Sequence, residues 1–247
     1  MGRKVRLDRL LVDRGLAASR LRARELIESG AVLVDGFPAA KPSRQVDTSR
    51  QLTLARSDHP WVSRGALKLL SVIDAFGVDP SGRVCADFGA STGGFTEVLL
   101  ERGALRVHAV DVGKGLLHWR LRTDDRVVLH EGVNARYLEG LPDPVDLLVG
   151  DLSFISLRLI LPAVGRVLRP GGEAVVLVKP QFEAGRDAIG AGGRLRSDSD
   201  RLAAIERVRR DAILEGFQIV DGSDSGVAGA KSGNVEHFLH LRWSAGH

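Results

Sequence analysis

Apolar positions along the chain change their period several times, and each change marks an element. Between residues 6 and 14, Leu7, Leu10 and Leu11 recur at helical spacing, and Ser19 is placed to cap a second helix carrying Leu21, Ala23, Leu26 and Ile27. Gly30 closes that helix. Ala31 to Val34 then alternates as a strand, Asp35-Gly36 suits a tight turn, and Leu52 to Leu54 returns as a further strand. This pattern predicts a small α+β unit over residues 1–55, a linker over 56–65 containing Pro60 and Trp61, and a larger body over 66–247. The body opens with a helix bearing Leu67, Leu69, Leu70 and Ile73. Short apolar runs then alternate with helical stretches: strands at Val84 to Ala86, Val107 to Val110, Val127 to Leu129, 145–149 and Glu173 to Val178, with helices around GLLHWRLR and over 156–168 and 199–214. Residues 184–198 and the segment GSDSGVAGAKSGN are too rich in glycine and polar residues for a core and read as loops. Strands near 217–221 and at Val235 to Trp243 end the chain. Alternation of this kind predicts an α/β, doubly wound, Rossmann-like sheet with antiparallel pairing at its end.

The candidate chemistry lies where the strands stop. Val84 to Ala86 runs into Asp87 and a glycine-rich turn, VCADFGASTGGFT, and in open α/β sheets ligands bind beyond the carboxyl ends of strands. The spacing G-x-x-x-G-G fails the dinucleotide fingerprint G-x-G-x-x-G, and the Lys-Ser/Thr of a phosphate-binding loop is missing. The next strand ends in Asp111, about where a Rossmann-like unit places the acid that grips a ribose. Two acids without an anion cradle suit a cationic, ribose-bearing cofactor, which points to S-adenosylmethionine. Asn134 follows the third strand and suits an adenine edge or a turn equally well.

Lys68, Asp151, Lys179 and Glu236 fall at element positions where a core would not accept them, and buried charges need partners. Converging on one pocket, they make a usable site. For methyl transfer to a hydroxyl, an alcohol is a poor nucleophile until its proton is drawn off, and a lysine does this only when partly neutral. Burial and a second cation lower a lysine's pKa, whereas acids raise it; sequence alone leaves that balance open.

Charge adds a partner. Residues 1–60 hold 12 Lys+Arg against 7 Asp+Glu, while the remainder holds 23 against 24, so the excess lies in the N-terminal segment. A basic module on a near-neutral body favours nucleic acid as partner, with Arg20, Arg22, Arg24, Lys41 and Arg44 available to contact phosphates. The single cysteine permits no intramolecular disulfide and fits a reducing, cytoplasmic setting. No run is apolar enough to enter a bilayer as a spanning helix, no signal peptide is visible, and no metal is expected.

The stretch SRLRARELIESGAVLVDG resembles the ribosomal S-four-type RNA-binding domain. The motifs VSRGALKL, DFGASTGGFTEVLL, AVDVG, GDLSFISL, LVKPQFE and SGNVEHF together resemble the TlyA (hemolysin A) family, whose body is similar to the FtsJ/RrmJ-type ribose methyltransferases. The resemblance implies an S-adenosylmethionine-dependent RNA 2′-O-methyltransferase acting on cytidine of ribosomal RNA in one or both subunits. It implies a catalytic tetrad of Lys68, Asp151, Lys179 and Glu236. It also implies cofactor contacts from Asp87, Gly89, Ser91, Gly93, Gly94, Phe95, Thr96, Asp111 and Asn134. The family linker R-A-W-V reads here as His59-Pro60-Trp61-Val62, a departure that bears on the hinge and not on the tetrad.

Other functions make different demands. Base methylation through a covalent intermediate needs a cysteine nucleophile, and Cys85 lies inside the first strand. An exocyclic-amine methyltransferase calls for an Asn/Asp-Pro-Pro-aromatic turn, where this chain has Asp151-Leu152-Ser153-Phe154. A membrane-active haemolysin needs a spanning or strongly amphipathic segment, and the basic helices here are short and mixed in sign. A non-catalytic ribosome-assembly factor would not need the tetrad.

Overall fold

Leu7, Leu10, Leu11, Ala23, Ile27, Val32 and Val46 close around one another as the core of a small N-terminal unit. The computed structural model describes residues 3–17, 19–28, 30–39, 41–54, 59–227 and 233–244, and the chain divides into two units, Met1–Pro60 and Trp61–His247. In the first unit, strand β1 (Lys4–Arg6) leads into helices α1 (Leu7–Asp13) and α2 (Arg20–Glu28). Ser19 Oγ accepts from the Arg22 amide at 3.1 Å, which is the expected cap. Strand β2 (Val32–Val34) turns through Asp35 and Gly36, both left-handed, into the two-residue strand β3 (Phe37–Pro38). On its other edge β2 pairs with β5 (Leu52–Leu54), and β4 (Gln45–Asp47) pairs separately with β1. The sequence pattern misses β1, β3 and β4, because two or three residues carry no readable period.

The second unit is built on a seven-stranded sheet. Helix α3 (Gly65–Ile73) precedes β6 (Val84–Phe88), α4 (Gly94–Glu101), β7 (Arg106–Asp111), α5 (Trp119–Arg122) and β8 (Val127–Glu131). The chain then crosses to β9 (Val145–Gly150), α6 (Leu161–Val167), β10 (Leu168–Val178), α7 (Pro180–Glu183), α8 (Asp198–Leu214), β11 (Phe217–Asp224) and β12 (His237–Trp243). Strand order is β11-β12-β10-β9-β6-β7-β8, with β12 antiparallel to both neighbours and β10 through β8 parallel. The order reverses between β6 and β9, so the crevice of this doubly wound sheet opens beyond Phe88 and Gly150, which are register partners.

The two faces of the sheet are covered differently. Ala66, Leu69, Val72 and Ile73 of α3 and Val98 and Leu99 of α4 pack on one face; Ala163, Val164 and Val167 of α6 and Ile205, Val208 and Ala212 of α8 pack on the other. Each buried Val, Leu or Ile side chain among them contributes about 1.5 to 3 kcal/mol. Trp61 and Val62, expected in the linker, pack against the core of this unit, and the part of the linker expectation over 56–58 lies outside the described residues. The helix expected over 156–168 is a 3-10 turn, Leu157–Leu159, followed by α6, because Pro162 can enter only a helix's first turn. Residues 184–198 form two 3-10 turns and an isolated Ile189–Leu195 bridge. Part of the second expected loop, 228–232, lies outside the described residues.

Candidate active site

The glycine turn is held by acids from two strands. Thr96 donates to Asp87 Oδ2 from both its amide, at 2.9 Å, and its hydroxyl, at 2.7 Å. Asp87 Oδ1 is buried without a hydrogen-bond partner. Burial pushes the Asp87 carboxyl up to about 7 against the opposing Thr96 bonds, so its charge is costly unless a cation is brought near. Gly89 (φ +83°), Ser91 (φ +48°) and Gly93 (φ +98°) turn the backbone through left-handed conformations. Asp111 closes the arrangement: its Oδ2 accepts from Ser91 N at 2.8 Å and its Oδ1 from Gly113 N at 2.7 Å. Each of those oxygens keeps a lone pair for a ribose hydroxyl.

The remaining cofactor candidates act from behind the turn. A Cβ on Gly94 would clash with Ser63 Oγ and lie 2.8 Å from Ala66 N, and one on Gly93 would clash with Leu121. Those glycines are required by the close approach of protein to protein. Phe95 is in the core, its ring stacked on Phe238 with centroids 6.2 Å apart, and Thr96 is fully buried on Asp87. The Phe95 ring thus fixes the start of α4. Asn134 caps a 3-10 turn, its Oδ1 accepting from Arg136 N at 3.1 Å.

Lys68, Asp151, Lys179 and Glu236 come together at the mouth of the crevice. Asp151 follows β9, Lys179 follows β10, Lys68 projects from α3, and Glu236 immediately precedes β12. Lys179 Nζ lies 2.5 Å from Asp151 Oδ1, and Lys68 Nζ lies 3.3 Å from Asp151 Oδ2 and 2.8 Å from Glu236 Oε2. Asp151 is thus shared by two ammonium groups, and Lys68 by two carboxylates. Burial works to lower Lys68, but Asp151 and Glu236 outweigh it and hold its ammonium above the ordinary lysine range. Burial likewise opposes the charge on Asp151, yet Lys179 and Lys68 keep it below the ordinary carboxylate range. Lys179 Nζ also donates to Ser153 Oγ at 2.6 Å. The glycine turn touches this cluster directly: Asp151 N donates to Phe88 O at 3.1 Å, and a Cβ on Gly89 would sit 2.8 Å from the Asp151 carbonyl oxygen.

The model of the FtsJ-like methyltransferases matches residues 61–243, and that of the S4 domain matches residues 5–52. The 16S/23S rRNA (cytidine-2′-O)-methyltransferase TlyA of Mycobacterium tuberculosis is 49% identical over 245 residues, covering 98% of this chain and 91% of the relative. The chain belongs to the TlyA family of FtsJ-like methyltransferases. The 23S rRNA (cytidine-2′-O)-methyltransferase TlyA of Campylobacter jejuni is 33% identical, covering 93% of this chain and 96% of the relative. A solved structure named as a hemolysin, from Streptococcus thermophilus, is 40% identical with a TM-score of 0.75, covering 98% of this chain and 89% of that one. Among the described residues of this TlyA-family chain, no helix is long and apolar enough to cross a membrane.

The N-terminal candidates separate by what they touch. Arg20 donates to Asp8 at 3.2 Å, and Asp8 is fully buried, accepting also from Arg6 at 3.0 and 2.8 Å. Those arginines, Arg6 first, hold the Asp8 carboxyl down at about 2. Arg20 is thus first a counter-ion to Asp8, with most of its side chain still exposed. Arg24, Lys41 and Arg44 are exposed and Arg22 is half-buried. Arg44 lines a groove with Lys4, Phe37 and Arg50. In the TlyA-family body, sequence reasoning missed Ser153, Glu183 and Asn234. Asn234 accepts from Leu195 N at 3.1 Å and donates to Gly193 O at 3.0 Å, fastening the 190s segment two residues before Glu236. Only their neighbourhood to GDLSF, KPQFE and SGNVEHF could have drawn attention to them.

Proposed function

We propose that the chain is an S-adenosylmethionine-dependent ribose 2′-O-methyltransferase acting on cytidine of ribosomal RNA in one or both subunits. The observation that carries the reading is the continuous ion-pair chain Lys179–Asp151–Lys68–Glu236 built against the glycine turn. When bound, S-adenosylmethionine supplies an electrophilic methyl group on a sulfonium. Asp87 Oδ1, buried without a partner before the turn, and Asp111 at the end of β7 fit a molecule carrying positive charge and ribose hydroxyls. Asp87, Gly89, Ser91 and Asp111 would hold it, with Gly93, Gly94, Phe95, Thr96 and Asn134 shaping the turns behind them. Lys68 is kept protonated by two carboxylates and is set aside as the base; it holds Asp151 and Glu236 in place. Lys179 Nζ, once its own proton has passed to solvent, takes the proton of the 2′ hydroxyl as that oxygen attacks. Phe154, four-fifths exposed and left-handed at φ +64°, follows Ser153 and offers an aromatic face at the same mouth for a nucleobase.

The exposed cations of the N-terminal unit, Arg24, Lys41 and Arg44, with the half-buried Arg22 and with Arg20 beside Asp8, supply phosphate contacts. Ribosomal RNA as substrate places the protein in the cytoplasm. The test is incubation with labelled cofactor and each ribosomal subunit from a strain lacking the protein, followed by mapping of the modified nucleotide. Methyl label on a cytidine 2′ oxygen supports the reading; label on a base, or none with either subunit or with free ribosomal RNA, refutes it.

A further inference from the structure

Glu183 is a buried acid that the proposed proton transfer does not use. It ends α7, four residues after Lys179, and its carboxylate reaches across to the loop that follows β9. Ser156 Oγ donates to its Oε2 at 2.6 Å and Leu157 N to its Oε1 at 2.7 Å. The loop so caught begins at Asp151, whose amide is bound to Phe88 O, and it carries Ser153 and the left-handed Phe154. It is therefore fastened at both ends, by β6 at Asp151 and by Glu183 at Ser156 and Leu157. Lys179 meets this span twice, at its start through Asp151 Oδ1 and further along through Ser153 Oγ. Arg207 of α8 donates to the Glu183 carbonyl at 2.9 Å, so the clamp is itself anchored on a long helix.

We propose that Glu183 is a positioning residue for methyl transfer: by gripping Ser156 and Leu157 it fixes the loop bearing Asp151 and Ser153 against Lys179. The kinetic part of this inference rests on the methyltransferase reading above. Burial raises the Glu183 carboxyl above the ordinary range, so a neutral group is the less costly occupant of its place. Glutamine meets the same geometry, its Oε1 accepting from Leu157 N and its Nε2 donating to Ser156 Oγ, whereas alanine can make neither bond.

The experiment compares Glu183→Ala, Glu183→Gln and wild type in three measurements: single-turnover methyl transfer, cofactor and RNA affinity, and the labelling rate of Lys179 by reductive methylation read by mass spectrometry. Glu183→Ala is expected to lower the methyl-transfer rate about ten- to a hundred-fold, the scale of a misplacement near 1 Å, with both affinities unchanged. Lys179 should label several-fold faster in that variant, and Glu183→Gln should restore the rate and the protection together. A folded Glu183→Ala protein that keeps the wild-type rate overturns the proposal, as does Glu183→Gln that is as slow as Glu183→Ala, which would make the charge itself the requirement. Should Glu183→Ala not fold, Ser156→Ala removes one of the two bonds, and unchanged Lys179 labelling there also overturns it. The labelling needs no turnover, so failure of the methyltransferase reading leaves it readable and the two failures are distinguished.

Discussion

Lys68 and Lys179 share one carboxylate but stand differently toward the reaction. Lys68 is fixed between Asp151 and Glu236, while Lys179 has one carboxylate and a serine hydroxyl. Lys179→Ala is expected to abolish methyl transfer with cofactor and RNA affinities nearly intact, the mark of an interaction felt mainly in the transition state. Lys179→Arg should not restore it, because a guanidinium stays protonated; near wild-type single-turnover rates in that variant would assign Lys179 to charge placement instead. Asp87 carries a pH prediction. Its carboxyl titrates about 7 in the folded protein and near 3.8 when free, so folding favours its protonated form and stability falls as pH rises from about 4 to above 7. Asp87→Asn should raise the melting temperature at pH 8 and leave it little changed at pH 4, while weakening cofactor binding. Equal melting curves at both pH values would refute this. The tetrad was legible because each member follows or precedes a recognisable strand or sits in an apolar helix. Glu183 and Ser153 were not, since a glutamate in a short helix and a serine in a loop carry no periodic signal.

Where elements meet, glycine decides the spacing. Gly94 opens α4 under the start of α3, and a Cβ there would strike Ser63 and the Ala66 amide. Gly94→Ala is expected to destabilise the second unit by about 1 to 3 kcal/mol, the usual cost of overpacking. It should also slow methyl transfer, because α3 carries Lys68. A melting temperature within error of wild type would show that the helices move apart freely. Sequence pattern found the long, strongly periodic elements: α2, α3, α8, and the parallel strands that run into acids. It overextended the helix around GLLHWRLR, where the left-handed Gly115 and the capping His118 confine α5 to four residues. It stopped the first body strand at Ala86, whereas Asp87 and Phe88 still pair with β7 and β9. In each case the deciding term is a tertiary partner that no local window contains.

At the scale of the molecule, the two units have separate cores. Deleting residues 1–55 should weaken RNA binding and flatten its dependence on salt, because each phosphate that is no longer neutralised takes roughly 0.7 to 0.9 from the logarithmic salt slope. Cofactor affinity should survive; an unchanged salt slope would move the RNA-binding cations to the second unit. The antiparallel strand β12 has a consequence for how the protein comes into being. As the chain is synthesised, the RNA-binding unit, the glycine turn, Asp111, Asp151 and Lys179 all leave the ribosome before Glu236 and β12 do. Until then β10, buried and rich in valine, presents an open edge on the side where β12 will pair. A message with a premature stop between the codons for α8 and Glu236 would thus yield a chain with its RNA-binding unit intact, an unpaired sheet edge and an incomplete tetrad. Such a product is expected to be cleared or to aggregate rather than to persist as a competitor for ribosomal RNA.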